Sequence, residues 1–335
     1  MKKIFVTGGA GFIGSSFIRL VLNKCPELDI VNFDALTYAG NLANLKDCEK
    51  NSRYHFVKGD ITDLEQVKTA MRGCDVVVNF AAESHVDRSI TDPSIFVKTN
   101  VMGTQILLDV AREYNINTFL QVSTDEVYGS LGPTGLFTED TPLQPNSPYS
   151  ASKTGADCLV RAAFHTHGMD TRITRCSNNY GPFQFPEKLI PLFISNAMHD
   201  KDLPLYGDGA NVRDWLFVDD HNRALLAVLE KGKAGEVYNI GGNNEKTNKD
   251  ITLTLLKILN KPESLIKYVT DRLGHDKRYA IDSSKLQNEL GWEPQVDFEE
   301  GMTLTVKWYQ ENAKWWEEIK SGAYMEYYAK QYGNR

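Results

Sequence analysis

Cysteine is scarce in this chain and scattered through it. The five that occur (Cys25, Cys48, Cys74, Cys158 and Cys176) form no C-x-x-C pair and are odd in number. That argues against a disulfide framework or a zinc site and for free thiols in a reducing compartment. Long apolar runs are missing as well, and no stretch approaches the ~18 consecutive apolar residues of a membrane span. Met1-Lys2-Lys3 followed by Ile4-Phe5-Val6 starts like a signal peptide, but the glycines from Gly8 onward break the apolar run far too early. A cytoplasmic location with no membrane partner is expected. There is no surplus of positive charge either: 37 Lys and Arg face 44 Asp and Glu, for a net charge of -7. A general nucleic-acid binder would be basic, so no nucleic-acid partner is expected. An anionic ligand must instead be met by a local cluster of cationic groups. His165 and His167, two apart on a helix, point to different faces, and no Cys or carboxylate spacing supports zinc, so no metal is expected.

What is present is an alternation of short apolar runs and longer stretches of helical period. Ile4–Thr7, Ile30–Phe33, Tyr54–Val57, Val76–Phe80, Phe119–Ser123 and Arg172–Cys176 read as buried strands. Segments near 12–23, 64–71, 94–114 and 149–167 read as the helices between or after them. Strand–helix alternation implies α/β architecture, a parallel sheet covered on both faces. After about residue 178 the pattern changes. Loops with Pro182, Pro186, Pro191 and Pro204 separate a helix near 188–199 from a short strand and the segment Trp215–Val218. A helix near 219–231 and the strand Val237–Ile240 follow, then helices near 248–260, 283–290 and 298–320. At 335 residues the chain exceeds one compact core. Two domains are therefore expected: 1–177, which segments near 212–242 rejoin, and a smaller C-terminal substrate domain over 178–335. The aromatic C-terminus (Trp315, Trp316, Tyr324, Tyr327, Tyr328, Tyr332) reads as packing.

The first strand runs into Gly8-Gly9-Ala10-Gly11-Phe12-Ile13-Gly14 and then a helix. Glycines at 8, 11 and 14 let the backbone turn tightly and approach a pyrophosphate, to which the helix N-terminus offers free N–H groups and a favourable dipole. This strand–turn–helix context marks a Rossmann-type, doubly wound sheet that binds a dinucleotide. Asp34 ends the second strand, twenty residues past Gly14, where a carboxylate meets the adenosine ribose hydroxyls. Ala35 and Leu36 follow it, with no arginine for a 2′-phosphate, so NAD is favoured over NADP. Asp60, with Ile61 beside it, is read either at the adenine edge or as a helix cap. Ala81 and Ala82 are small enough for the cofactor to lie against the backbone, and Thr99 is a further cofactor candidate.

Tyr149-Ser150-Ala151-Ser152-Lys153 puts a phenol and an ammonium four apart, on one helix face. A free tyrosine, with a pKa near ~10, is a poor base at neutral pH. A nearby lysine together with a cationic nicotinamide stabilises its phenolate. With the glycine turn, this pattern resembles the extended short-chain dehydrogenase/reductase family over nearly the whole chain. In that family the tyrosine and lysine, here Tyr149 and Lys153, carry the redox step, and a Ser or Thr ending the fifth strand, here Thr124, binds the reacting hydroxyl. The following residues, in Ser123-Thr124-Asp125-Glu126-Val127-Tyr128-Gly129, resemble the Thr-Asp-Glu triplet of the dTDP-glucose 4,6-dehydratase subgroup. The family's nucleotide-sugar epimerases generally lack that acidic pair. Elimination of water across C5 and C6 of a 4-keto hexose needs a base at one carbon and an acid at the next. Two close carboxyls suit this, because repulsion and burial raise one pKa and leave the other group ionised. The resemblance implies Glu126 as base and Asp125 as protonated acid, with NAD regenerated at each turnover.

It also implies a substrate set. Ser84 falls to the cofactor and His85 to the substrate. Asn178 meets the substrate and Asn179 the nicotinamide side. The helix N-terminus at Glu187-Lys188-Leu189 can receive diphosphate. Pro204 and Tyr206 flank the base, and Arg213, Asn248, Arg272, His275 and Tyr279 supply the remaining diphosphate and base contacts. Arg213 and Arg272 are the cationic groups an acidic protein needs, since guanidinium binds phosphate oxygens bidentately. The expected substrate is dTDP-glucose. The alternatives are a UDP-sugar 4,6-dehydratase, a nucleotide-sugar 4-epimerase and a non-catalytic NAD sensor. A homodimer paired through the helices near 94–114 and 149–167 is the family expectation.

Overall fold

A computed structural model describes residues 1–271, 274–321 and 328. The first half alternates strands and helices: β1 Lys3–Thr7, α1 Phe12–Lys24, β2 Asp29–Asp34, β3 Tyr54–Lys58, α2 Leu64–Met71, β4 Val76–Asn79, α3 Val86–Thr91, α4 Pro93–Phe96, α5 Thr104–Glu113, β5 Thr118–Thr124, α6 Pro148–His167 and β6 Thr171–Cys176. The rest comprises β7 Asn178–Tyr180, α7 Leu189–Met198, β8 Leu203–Tyr206, β9 Val212–Phe217, α8 Val218–Lys231, β10 Val237–Ile240, β11 Glu245–Thr247, α9 Asn248–Leu259, β12 Ile266–Val269, α10 Ser284–Leu290, α11 Phe298–Glu311 and α12 Ala313–Ile319. Helix α6 shows why such segments fold where they do. Pro148 occupies its first turn, Ser147 and Ser150 form a capping box, and Gly168 closes it in the left-handed region at φ 67°.

Seven strands form the large sheet in the order β10-β6-β5-β4-β1-β2-β3, all parallel. The chain steps outward from β1 to β2 and β3, then returns to start the other half at β4. A crevice therefore opens beyond the C-terminal ends of β1 and β4, the place where such sheets bind ligands. Side chains alternate between the faces. Ile4 and Val6 pack with Phe17, Leu225 and Trp292 on one side, and Phe5 packs with Val67, Leu107 and Val160 on the other. Both faces are covered, so the strands read as continuous apolar runs rather than alternating ones.

The second lobe is built on two small sheets, β11-β9-β7 and β12-β8. Its core joins α7, α9, α11 and α12 through Phe193, Leu255, Met302, Tyr309 and Trp316. From the 212–242 stretch, β10 pairs with β6 at the edge of the large sheet, whereas β9 lies between β7 and β11. Of the segment Trp215–Val218, the first three residues belong to β9 and Val218 begins α8.

Two long helices depart from expectation. The one near 94–114 carries a π-helical stretch, Val97–Gly103, between α4 and α5. Gly103 faces Ile61, whose Cδ1 would lie 2.5 Å from any Cβ there, so the helix needs glycine to sit this close. The one near 298–320 breaks at Asn312, where φ is -118° and ψ 36°. That break turns the two tryptophans to different partners: Trp315 Nε1 donates to Asn44 Oδ1 (2.9 Å) in the first lobe, and Trp316 Nε1 to Tyr309 O (2.9 Å) in the second. Tyr324, Tyr327 and Tyr332 lie outside the described residues. Among the described residues, no helix is long and apolar enough to cross a membrane.

Trp316 is 1% exposed and fills the second-lobe core. Trp316→Ala is expected to lower the unfolding free energy by about 3–5 kcal/mol in urea titrations. A loss below about 1 kcal/mol would show that this core does not rest on the indole.

Candidate active site

The crevice floor is the glycine turn. Gly8 sits at φ 67°, and a Cβ there would lie 2.7 Å from the Ala81 nitrogen. A Cβ on Gly14 would lie 2.5 Å from the Gly8 oxygen. The turn thus has room for backbone alone, so it can bring N–H groups against a ligand. Asp34 braces it by accepting from Ala10 N (2.9 Å) through Oδ2 and from Leu36 N (2.8 Å) through Oδ1. Burial pushes the Asp34 carboxyl above 3.8 although both amides oppose the shift.

A cavity of about 360 Å³ extends from this turn to the end of β5. All the cofactor candidates line it: Gly8, Gly11, Phe12, Ile13 and Gly14 at the turn, Asp34, Asp60 and Ile61 after β2 and β3, Ala81, Ala82 and Ser84 after β4, and Thr99, Tyr149, Lys153 and Asn179 deeper in. Asp60 Oδ1 accepts from Thr62 N (2.8 Å), while the helix cap of α2 is Asp63.

The same cavity reaches Thr124, Asp125, Glu126 and Asn178. Lys153 Nζ donates to Val122 O (2.8 Å) from a fully buried position. Burial pushes its ammonium below 10.5, and Asp157 one helical turn on opposes that. Burial, then Glu126, drive the Tyr149 phenol well above 10, against a hydrogen bond with Thr124. The chain's own groups therefore hold Tyr149 protonated, and only added positive charge beside it can bring its phenolate into reach.

The carboxyl pair stands on a single 3-10 turn, Asp125–Tyr128, that follows β5 directly. Thr124 Oγ1 caps the turn, accepting from Glu126 N (3.3 Å) and donating to Asp125 Oδ1 (3.3 Å). The two carboxyls are treated differently. Asp125 is 1% exposed and Glu126 half-buried. Burial first, then the charges of Glu126 and Asp214, push Asp125 well above 3.8, with Arg213 pulling the other way. The Asp125 Oδ2 atom makes no hydrogen bond within the protein.

Among the remaining candidates, Arg213 and Tyr279 stand near enough to the pair for their charges to interact. Arg213 stacks on the Tyr279 ring (4.2 Å to its centroid) and donates to Asp276 O (2.9 Å). The Tyr279 hydroxyl donates to the Asp276 carboxylate, and burial followed by Glu126 raises its pKa. Asn248 opens α9 with its N–H on Asn211 O (3.0 Å). Tyr206, at the end of β8 beyond Pro204, donates to Asp87 Oδ2 (3.1 Å) and meets His275 edge-on at 6.1 Å. Lys188 lines the cavity, donates to Ser84 O (3.0 Å) and immediately precedes α7, which starts at Leu189. Glu187 is read from sequence as a substrate contact, yet its carboxylate is buried against the Arg88 guanidinium, with His85 Nε2 at 3.6 Å. Arg272 lies outside the described residues.

Sequence reasoning missed the clasp around Arg88, which lies over the Tyr38 ring at 4.2 Å while gripping Glu187 across the lobes. It also missed Asp214, whose oxygens accept from Gly242 N (2.9 Å) and Asn244 N (2.7 Å). No local pattern announces either, because each partner stands far away in the chain.

A family model described as GDP-mannose 4,6 dehydratase matches residues 5–305. The chain belongs to this family. Among its relatives, the dTDP-glucose 4,6-dehydratase of Xanthomonas campestris pv. campestris is 53% identical over 97% of both chains. A dTDP-glucose 4,6-dehydratase of Escherichia coli K12 is 50% identical over 99% of both. The crystal structure of the Streptomyces venezuelae dTDP-glucose 4,6-dehydratase, with NAD bound, superposes with a TM-score of 0.93 at 52% identity, covering 95% of this chain and 100% of that one. A UDP-glucose 4-epimerase from Thermotoga maritima follows the same fold at 30% identity and a TM-score of 0.87, over 93% of this chain and 99% of the epimerase. The fold accommodates both reactions, so the side chains must decide between them.

The state of Asp125 can be tested by stability alone. Its folded pKa lies above the 3.8 of a free carboxyl. Between those two values the folded protein holds a proton that the unfolded chain releases, so this residue costs stability as pH rises. Asp125→Asn removes that cost. Its melting temperature is expected to exceed the wild type's increasingly as pH rises from about 4 to 8. A difference that is flat or shrinks with pH would mean Asp125 is not held in its acid form.

Proposed function

We infer that the chain is an NAD-dependent dTDP-glucose 4,6-dehydratase, a carbon–oxygen lyase that converts dTDP-glucose to dTDP-4-keto-6-deoxyglucose and water. One observation carries this reading: a buried acid, a second carboxyl and a tyrosine–lysine pair line the same cavity as the glycine turn. The relatives named above support the nucleotide and the sugar.

The residues present fit NAD. The turn has no room for a Cβ at Gly8 or Gly14 and so admits a pyrophosphate. Asp34 suits ribose hydroxyls, and no arginine follows it to take a 2′-phosphate. When bound, NAD would supply the acceptor for a hydride from C4 of the sugar and its donor to C6, so none would be consumed overall. Tyr149 accepts the proton of the 4-hydroxyl. Burial and then the charge of Glu126 oppose its phenolate, so the positive charges of Lys153 and of the nicotinamide ring must offset that penalty. Thr124 orients the same hydroxyl. Once C4 is a ketone, the C5 proton is acidic, and Glu126, the more exposed carboxyl, removes it. Asp125 donates its proton to the C6 hydroxyl, which leaves as water. Adjacent carbons are served by adjacent residues. Arg213, Lys188 and Asn248 face the nucleotide end, where the chain's bulk negative charge gives no help.

We also place this enzyme in the cytoplasm, supported by five cysteines that are all free thiols. We further assign a homodimer through the long helices. Val97 and Met102 are 55% and 45% exposed on the segment leading into α5, which gives it apolar surface to cover.

Incubation with dTDP-glucose should give a product lighter by one water, with NAD unchanged. Deuterium at C4 should reappear at C6 of the same molecule, and C5 should exchange with solvent. Glu126→Gln should still oxidise C4 but lower dehydration by about 10²–10⁴-fold. Retained water with an inverted C4 would make this an epimerase. Binding of NAD with no turnover would make it a sensor, and undiminished elimination in Glu126→Gln would remove that residue from its role.

A further inference from the structure

Behind the site, outside the cavity lining, lies a second buried charge that the reaction does not use. Arg175 precedes the last residue of β6, in register between Ser123 of β5 and Asn239 of β10. Its side chain turns to the α6 side of the sheet and is 5% exposed. There its Nε donates to Asp157 Oδ2 (2.9 Å), and a terminal nitrogen donates to the Tyr128 hydroxyl (3.0 Å). The guanidinium also stands 4.9 Å from the Tyr128 ring centroid. The Tyr128 hydroxyl donates a hydrogen bond to Asn239 Oδ1 (2.8 Å), and its ring stacks on Phe137 at 5.0 Å.

The two ends of this bridge matter. Asp157 is on α6, one turn beyond Lys153 and two beyond Tyr149. Tyr128 closes the 3-10 turn that begins with Asp125 and Glu126. One planar cation thus joins the element carrying the oxidation groups to the element carrying the elimination groups. We propose that Arg175 is a positioning residue that holds the carboxyl turn in register with the tyrosine–lysine helix, so that both steps act on one sugar ring.

This assignment rests on the dehydratase reading above. None of Asp157, Arg175, Tyr128 or Asn239 lines the cavity, and their polar groups are engaged with one another, so the effect passes through the elements they tie. A buried ion pair is weak support for stability, since apolar residues of similar volume often replace one without loss. What it does provide is direction. The guanidinium fork reaches two partners at fixed angles, which a lysine ammonium cannot reproduce. Catalytic geometry is sensitive to that control, because a displacement of about 1 Å can slow a step by about 10²-fold.

Tyr128→Phe and Arg175→Lys separate the steps. In single turnovers with dTDP-glucose, the absorbance of reduced nicotinamide reports oxidation, and product mass reports loss of water. Both variants should slow dehydration at least about 10-fold more than oxidation. Reduced cofactor and an undehydrated 4-keto hexose should then accumulate, with kcat lowered and KM little changed. The double variant should do no worse than the poorer single one. Equal slowing of both steps, or an unchanged ratio between them, overturns the proposal. Tyr128→Phe keeps the ring and its stacking, so it decides the matter even if Arg175→Lys does not fold. A wild-type chain that never dehydrates dTDP-glucose overturns the dehydratase reading and this proposal together. Wild-type dehydration with unaltered partition in the variants overturns this proposal alone.

Discussion

Keeping a carboxylic acid protonated at neutral pH requires withdrawing it from water and surrounding it with negative charge. Asp125 meets both conditions: it is buried at the end of β5, with the charges of Glu126 and Asp214 acting on it. Much of the surrounding structure serves this arrangement. Thr124 caps the turn on which the pair stands, and two backbone amides oppose the upward shift that burial gives Asp214. Arg213 limits the accumulated repulsion from the second-lobe side. The proposed acid and base differ in environment, since Asp125 is buried and its neighbour Glu126 only half so.

The parallel sheet acts as a ruler for the rest. Thr7 pairs with Asn79 across β1 and β4, so the residues just past them, Gly8 and Ala81, meet at the crevice floor. Thr124 pairs with Cys176 across β5 and β6, which brings the catalytic turn and Asn178 to the same edge. Helix α6 lies against β5 so closely that Lys153 hydrogen-bonds Val122 O. Cofactor turn, redox pair and carboxyl pair are thus delivered by strands ending at one level, while the second lobe closes the far side. The Arg88–Glu187 clasp and the Trp315–Asn44 contact join the lobes at two separate places.

Because a 4-epimerase shares this fold, the reaction is not a property of the architecture. It belongs to a few side chains grafted on it. An epimerase needs the tyrosine, the lysine and the cofactor; a dehydratase additionally needs an acid and a base on neighbouring carbons. In the function proposed above, Asp125 and Glu126 are that addition. Their burial beside Tyr149 is what makes them more than an acidic surface turn.

The sequence alone determined whatever is encoded in local patterns. Apolar runs alternating with helical periods specify a doubly wound sheet, because each element's solvation pattern is set by its own residues. The glycine turn, Asp34, the Tyr149–Lys153 pair and the Thr124–Glu126 triplet are legible because their partners lie within a few residues or at a spacing fixed by strand and helix geometry. The short strands β7 and β11 were not legible, since three residues carry no period. Nor were the π-helical stretch after α4 and the break at Asn312, where tertiary packing overrides helical propensity. The burial that raises the Asp125 pKa, the pairing of Glu187 with Arg88 and the bridge through Arg175 were decided only by the tertiary structure. Each depends on groups from different elements, and the burial of Asp125 exists only once the chain has closed around it.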